Sequence, residues 1–156
     1  MSLKKKLRLG LLAVVAAFLL LQLANPRLTN PPVKQDLIAA TKPPPAIAAS
    51  LVAACYDCHS HQTIWPWYSH VVPMSLLVAN DVQEGRANLD LSEWPDDPKR
   101  AARRLEDMSE EISGHEMPPK KYTAIHANAR LTDVQQQALT DWLDDEADQL
   151  KKSAAH

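Results

Sequence analysis

Glycine and cysteine are nearly absent from this chain of 156 residues, with three and two copies, and aromatic residues make up only 5%. Twelve prolines stand against those three glycines. That balance excludes a hairpin-rich sheet, whose tight turns need glycine, and favours helices joined by stiff loops. An excess of positive charge is missing too: the formal net charge is -2, which excludes nucleic acid as the main partner because phosphate binding needs a basic face. At roughly 100 to 200 residues per domain the length has room for one. The hydrophobic fraction of 46% and charged fraction of 23% exclude wholesale disorder and a multispanning membrane protein. The expected fold is a single all-α domain.

What is present begins with an address. Lys4, Lys5, Lys6 and Arg8 precede an apolar run from Leu9 to Ala24 that only Gln22 interrupts. A basic start followed by such a run reads as an export segment, either a signal peptide or a membrane anchor over residues 1–24. Sixteen helical residues reach about 24 Å, short of the roughly 20 residues a bilayer core usually takes. Cleavage after Ala24 would put Gln22 where a small residue is wanted, which favours the anchor. Without this segment the chain carries 13 basic against 19 acidic residues, a net charge of -6. Residues 25–45, with Pro26, Pro31, Pro32, Pro43, Pro44 and Pro45, read as a stiff linker holding a domain off the membrane. Residues 46–150 form that domain, and 151–156 a tail.

Four helices are expected in the domain. The first, over 46–58, has Ile47, Leu51, Ala54 and Cys55 at spacings of three and four. A second, over 74–87, starts after Pro73 and contains Leu76, Leu77 and Val82. The third has Asp97 as N-cap, Pro98 at its first position and Gly114 as its stop, with Ala101, Leu105, Met108 and Ile112 on one face. The fourth opens on a capping box of Thr132 and Gln135 and presents Val134, Ala138, Leu139, Trp142 and Leu143.

The two cysteines fall three apart and a histidine follows: Cys55-Tyr56-Asp57-Cys58-His59. This is the covalent c-type haem attachment pattern. On one helical turn both thiols can reach the two vinyl groups of a porphyrin, and His59 can give its imidazole to the iron from the proximal side. A structural disulfide, a thioredoxin-like dithiol and half of a zinc site are the alternatives. The dithiol wants a βαβ setting absent from this sequence, and zinc wants two more ligands at sensible spacing.

Several further motifs occur in order: Ser60 after the pentapeptide, Pro66-Trp67-Tyr68-Ser69, Gly85-Arg86, Leu91-Ser92-Glu93-Trp94, Glu116-Met117-Pro118-Pro119 with Tyr122, and a terminal helix through Trp142. Over residues 46–143 the chain thereby resembles the small monohaem cytochromes of the bacterial haem-binding-domain family. The resemblance implies an exported, often membrane-anchored, c-type cytochrome with a cytochrome-c-like helical fold and one covalent haem c.

A low-spin electron carrier needs a second axial ligand, and Met117 is the choice: the helix has stopped before it, and two prolines fix the backbone that presents its thioether. Met74, His61, His70, His115 and His126 are the rivals. Trp65, Trp67 and Tyr68 can wall the porphyrin together with Tyr122, and Arg86 can pair with a propionate. The expected activity is single-electron transfer between redox partner proteins on the periplasmic side of the inner membrane, with no small-molecule substrate. A haem-based sensor with an open or displaceable distal site is the alternative. A peroxidase-like enzyme would need an acid/base group beside an open iron, and His115 and Glu116 are the only hint of one.

Overall fold

The computed structural model describes residues 2–155. It is 68% helical, and among the described residues the only β-type pairing is an isolated parallel bridge between Gln35 and Glu93. The all-α expectation holds. The chain runs α1 (Leu3–Leu21), α2 (Leu37–Thr41), α3 (Pro45–Ala54), α4 (Tyr56–His59), α5 (Met74–Asn88), α6 (Pro98–Ser113), α7 (Lys120–Thr123) and α8 (Asp133–Ser153), with 3-10 turns at Gln22–Ala24, Trp67–His70 and Ala127–Ala129.

The helix α1 starts just ahead of the basic cluster, so with the turn after it the helical rod spans Leu3–Ala24, 22 residues of which none is buried and whose most apolar 18 have a mean hydropathy of 2.2. At 1.5 Å per residue that is about 33 Å, enough to reach across a bilayer core and longer than the apolar run alone suggests. A signal sequence has the same properties.

The framework of the domain is the pair α6 and α8. On α6, Ala101, Leu105, Met108 and Ile112 recur at spacings of four and three. They meet Leu139, Leu143 and Ala147 of α8, with Leu37, Ile47, Leu51, Tyr56, Leu91 and Trp94 completing the core. Gln136 at the start of α8 donates to the Ile112 carbonyl at the end of α6 (2.8 Å), and Lys151 near the end of α8 pairs with Glu106, so the two helices run antiparallel. Truncating a fully buried leucine such as Leu105 in such a core costs about 2–5 kcal/mol.

Both expected N-caps are made. Asp97 accepts from Arg100 N (2.8 Å), and Thr132 and Gln135 exchange the two bonds of a capping box (3.2 and 2.9 Å). Gly114 ends α6 as expected, but with φ at -73°. The left-handed residue of that terminus is His115, at φ 59°. There the bonds His115 N to Ile112 O (3.0 Å) and Glu116 N to Glu111 O (3.0 Å) close a Schellman motif. Val134 and Ala138 were expected on the apolar face of α8 and are exposed, because the face of α8 turned to α6 runs through Gln136, Leu139, Leu143 and Ala147 and both lie on its other side.

Three further expectations are corrected. The single helix over 46–58 is two, joined at Cys55, whose φ of -122° breaks the helical run. Cys55 still donates its N–H to Leu51 O (2.9 Å) and accepts from His59 N (3.0 Å), so it serves as a corner between α3 and α4. Residues 25–45 are no free spacer. Lys34 N and Gln35 N donate to Ser92 O and Leu37 N donates to Leu91 O, while Leu37 itself is fully buried. Proline stiffens that segment without preventing extended backbone from pairing, and Asp36 caps α2 between the proline clusters (3.2 Å to Ala39 N). The tail beyond residue 150 continues α8 to Ser153, where Lys151 and Lys152 suit the negative end of the helix dipole.

Candidate functional site

The turn that carries both cysteines is held by the two residues between them. Tyr56 is buried and donates its hydroxyl to the Asp36 carboxylate at 3.1 Å, tying α4 to the cap of α2. Burial, and then the Asp36 charge, push that phenol well above its ordinary range. Asp57 points the other way and accepts from Tyr122 OH (2.8 Å) and Ile64 N (2.9 Å). Burial pushes the Cys55 thiol up to about 12, with the neighbouring Cys58 adding to it, and pushes Cys58 up to about 11, with Asp81 and Asp57 adding to it.

Both thiols are therefore neutral at physiological pH, the reverse of the lowered pKa that makes a dithiol reactive. They stand as free thiols, and among the described residues no histidine, carboxylate or further cysteine joins them in a metal-sized cluster. Alkylation gives a direct check with a defined sign: a raised pKa leaves less thiolate. At pH 8, Cys58 in the folded haem-free chain is expected to react with iodoacetamide about 100-fold more slowly than in the urea-unfolded chain, the rate rising about tenfold per pH unit. Equal rates in the two states would show that the turn is not buried this way in the folded chain.

Behind the turn lies α5. A Cβ on Gly85 would stand 2.6 Å from the Cys58 carbonyl oxygen and 3.2 Å from the Cys58 Cβ, so only glycine lets the helix approach this closely. The close approach brings the Gly85 carbonyl to 2.9 Å and the Leu89 carbonyl to 3.0 Å from His59 Nδ1. Carbonyls only accept, so Nδ1 carries the proton, and Nε2 is left as a free lone pair with its ring fixed in place.

In front of the turn is a cleft of about 250 Å³ lined by Cys58, by Met74, Leu77, Val78, Asp81 and Val82 from one stripe of α5, and by Tyr68, Lys121, Tyr122, Ile125 and His126 among others. Lys121 pairs with Asp81 (2.7 Å) across its wall. His126 stacks on Tyr122 at 4.0 Å between ring centres, donates from Nδ1 to the Tyr122 carbonyl (3.1 Å) and meets Tyr68 OH through Nε2 (2.9 Å). With Nδ1 donating, Nε2 is the ring nitrogen left to face the Tyr68 hydroxyl. Burial raises the Tyr122 and Tyr68 phenols, so both remain hydrogen-bond donors.

Of the residues singled out from sequence, Cys58, Tyr68 and Tyr122 meet at this cleft, and Cys55 and His59 belong to the turn at its edge. Met117 does not line it. It is 37% exposed, on the segment that leaves α6 and reaches the cleft wall at Lys121. Met74, set aside from sequence as a rival, does line the cleft and is 39% exposed. Trp65 is absent from the lining, and Trp67 is turned outward at 78% exposed.

Arg86 does not face the cleft either. It donates to Ser60 O (2.8 Å), Thr29 O (3.0 Å), Asn30 Oδ1 (3.0 Å) and Thr63 Oγ1 (2.9 Å). Four of its five N–H groups thus clamp the 25–45 segment to Ser60 and Thr63 just after the cysteine turn, which replaces the expected pairing with a propionate. His61 is buried against Pro32 O (3.0 Å) and Asp90 (2.8 Å), His115 sits in the cap of α6, and His70 is exposed. The cleft role of Asp57 was missed, and His126, a rival for the distal position in the sequence, stands in the cleft wall bonded to Tyr68 and Tyr122. The spacing of four between Tyr122 and His126 was the available signal for that wall.

A family model described as a haem-binding domain matches residues 16–145. The chain belongs to the haem-binding-domain family. No curated protein and no solved structure matches it. Haem is accordingly the cofactor of this domain, and the site fits it on its own geometry. One imidazole nitrogen is free while the other is fixed, two neutral thiols lie on the same turn, and a largely apolar cleft with phenol donors adjoins them.

Proposed function

We propose that this protein is a monohaem c-type cytochrome that passes single electrons between redox partner proteins. The observation that carries the reading is His59, on the same turn as both thiols: its Nδ1 is held by the backbone carbonyls of Gly85 and Leu89, leaving Nε2 for iron. Cys55 and Cys58 would hold the porphyrin through thioethers, and Met117 would supply the distal ligand from the Pro118-Pro119 segment. Bound haem supplies a one-electron couple, and a thioether ligand raises its potential. The chain's part is to hold His59 in one tautomer, to line the cleft with apolar side chains from α5, and to keep Tyr68, Tyr122 and His126 as a bonded wall of that cleft.

The reading includes export, with α1 retained as an anchor and the domain on the periplasmic side of the inner membrane. Its length of about 33 Å supports this, as does Gln22 at the position where a cleavage site wants a small residue.

A second reading, a haem-based sensor with an open or displaceable distal site, is favoured by one observation: Met117 lies outside the cleft lining. Absorption spectra of the full chain, exported in a host that matures c-type cytochromes, separate the two. A covalent low-spin haem with a methionine-to-iron band, indifferent to carbon monoxide, is expected of the carrier. A high-spin or carbon-monoxide-reactive haem would transfer the function to sensing, and haem extractable by acidified organic solvent would end the c-type reading.

A further inference from the structure

The end of α1 is bonded to the haem domain. Immediately after that helix, the Gln22 side-chain amide accepts from Val72 N (3.0 Å) and donates to Val72 O (3.4 Å), while Asn25 Nδ2 donates to His70 O (3.1 Å). Val72 is buried, and the turn Trp67–His70 that precedes it packs on the first part of α5. The junction is thus a paired contact rather than a loose tether. It fixes which edge of the domain faces the place where α1 ends.

That edge has an unusual composition for a chain that is 23% charged: from Ser60 to Asn80 there is no Asp, Glu, Lys or Arg. The segment bonded to it, Leu9 to Pro26, has none either. Trp67 is 78% exposed and Leu76 is 47% exposed, and neither lines the cleft. Leu23, beside Gln22, is exposed as well. An outward tryptophan with aliphatic neighbours and no formal charge, at the point where an apolar helix ends, has the chemistry of a membrane–water interface.

We propose that Trp67, Leu76 and Leu23 form a contact edge that rests in the headgroup region of the bilayer entered by α1, so that the haem domain lies on the membrane in one orientation. This rests on the reading of α1 as a retained anchor. Because Met74, Leu77 and Val78 of the same helix line the cleft, the edge also holds the cleft beside the membrane surface, which suits exchange with a membrane-bound redox partner over a freely diffusing one.

The test uses the full-length haem-loaded protein in oriented lipid multilayers at high lipid-to-protein ratio, with the ferric haem paramagnetic resonance spectrum recorded as the multilayer is rotated. A docked domain gives a spectrum that changes strongly with angle, and Trp67→Ser with Leu76→Ser is expected to flatten that dependence while leaving the absorption spectrum unchanged. An angle-independent wild-type spectrum overturns the proposal, as does a double variant that stays oriented. Orientation present only at high protein density would make a second copy of the chain the occupant and overturn it too. High-spin and low-spin ferric haem both report angle, so failure of the electron-carrier reading is separately visible in the spin state. A purified protein whose mass lacks residues 1–24 would overturn the anchor and the docking together.

Discussion

Ferrous Met117→Ala protein is expected to bind carbon monoxide stoichiometrically where the parent protein binds none, and to lose the methionine-to-iron band in the ferric state. A thioether presented by the Pro118-Pro119 segment competes for the sixth position at a reduced cost in chain entropy, since the prolines restrict the backbone beforehand. Alanine has no donor, so the site opens to solvent and to gas. The reduction potential should fall with it, because thioether ligation favours ferrous iron. Met74→Ala is the informative companion, since Met74 stands on the cleft wall and Met117 does not. As a half-exposed packing residue, Met74 should cost at most about 1 kcal/mol on truncation and leave the spectrum unchanged. Reversed results, with Met74→Ala carbon-monoxide-reactive and Met117→Ala silent, would move the distal ligand onto α5.

The parts of this molecule legible in the sequence are those whose chemistry is local. The caps at Asp97 and Thr132 are side-chain bonds to backbone three residues on, and the stripe Ala101, Leu105, Met108, Ile112 repeats with the helix itself. The Cys55–His59 turn announces its cofactor by spacing, and the family match agrees on haem. What was not legible depends on contacts between distant residues. Nothing near Arg86 in sequence indicates that Thr29, Asn30, Ser60 and Thr63 would surround it. The break at Cys55 has no proline or glycine to mark it. Tyr56 supplies its reason, bonded to Asp36 twenty positions earlier. Trp67 and Tyr68 are neighbours in a 3-10 turn, yet only the second lines the cleft. Residues 25–45 carried the proline signature of a spacer, but composition reports stiffness and says nothing about the backbone partners at Leu91 and Ser92.

Gly85→Ala sets two physical effects against each other, and their sizes decide the outcome. Within α5, helix propensity alone would make alanine better than glycine by about 1 kcal/mol. The new Cβ, however, would lie 2.6 Å from the Cys58 carbonyl oxygen and 3.1 Å from its carbon, against backbone rather than the far end of a flexible side chain. Overpacking a rigid contact costs about 1–3 kcal/mol and occasionally more. Here the yielding element is the haem turn itself, so the upper part of that range applies and the clash wins. A net loss of about 2 kcal/mol corresponds to a melting temperature lower by roughly 4–8 °C for a chain of this size. Retreat of α5 would also carry the Gly85 carbonyl away from His59 Nδ1, loosening the bond that fixes the proximal ring. The variant is therefore expected to give less haem-loaded protein and an altered Soret band in addition to its lower melting point. Gly10→Ala meets nothing within 4 Å, so it controls for the substitution as such and should leave all three unchanged. Unaltered stability and spectrum in Gly85→Ala would mean that α5 does not press on the Cys58 carbonyl, and the account of how His59 is held would fall with it.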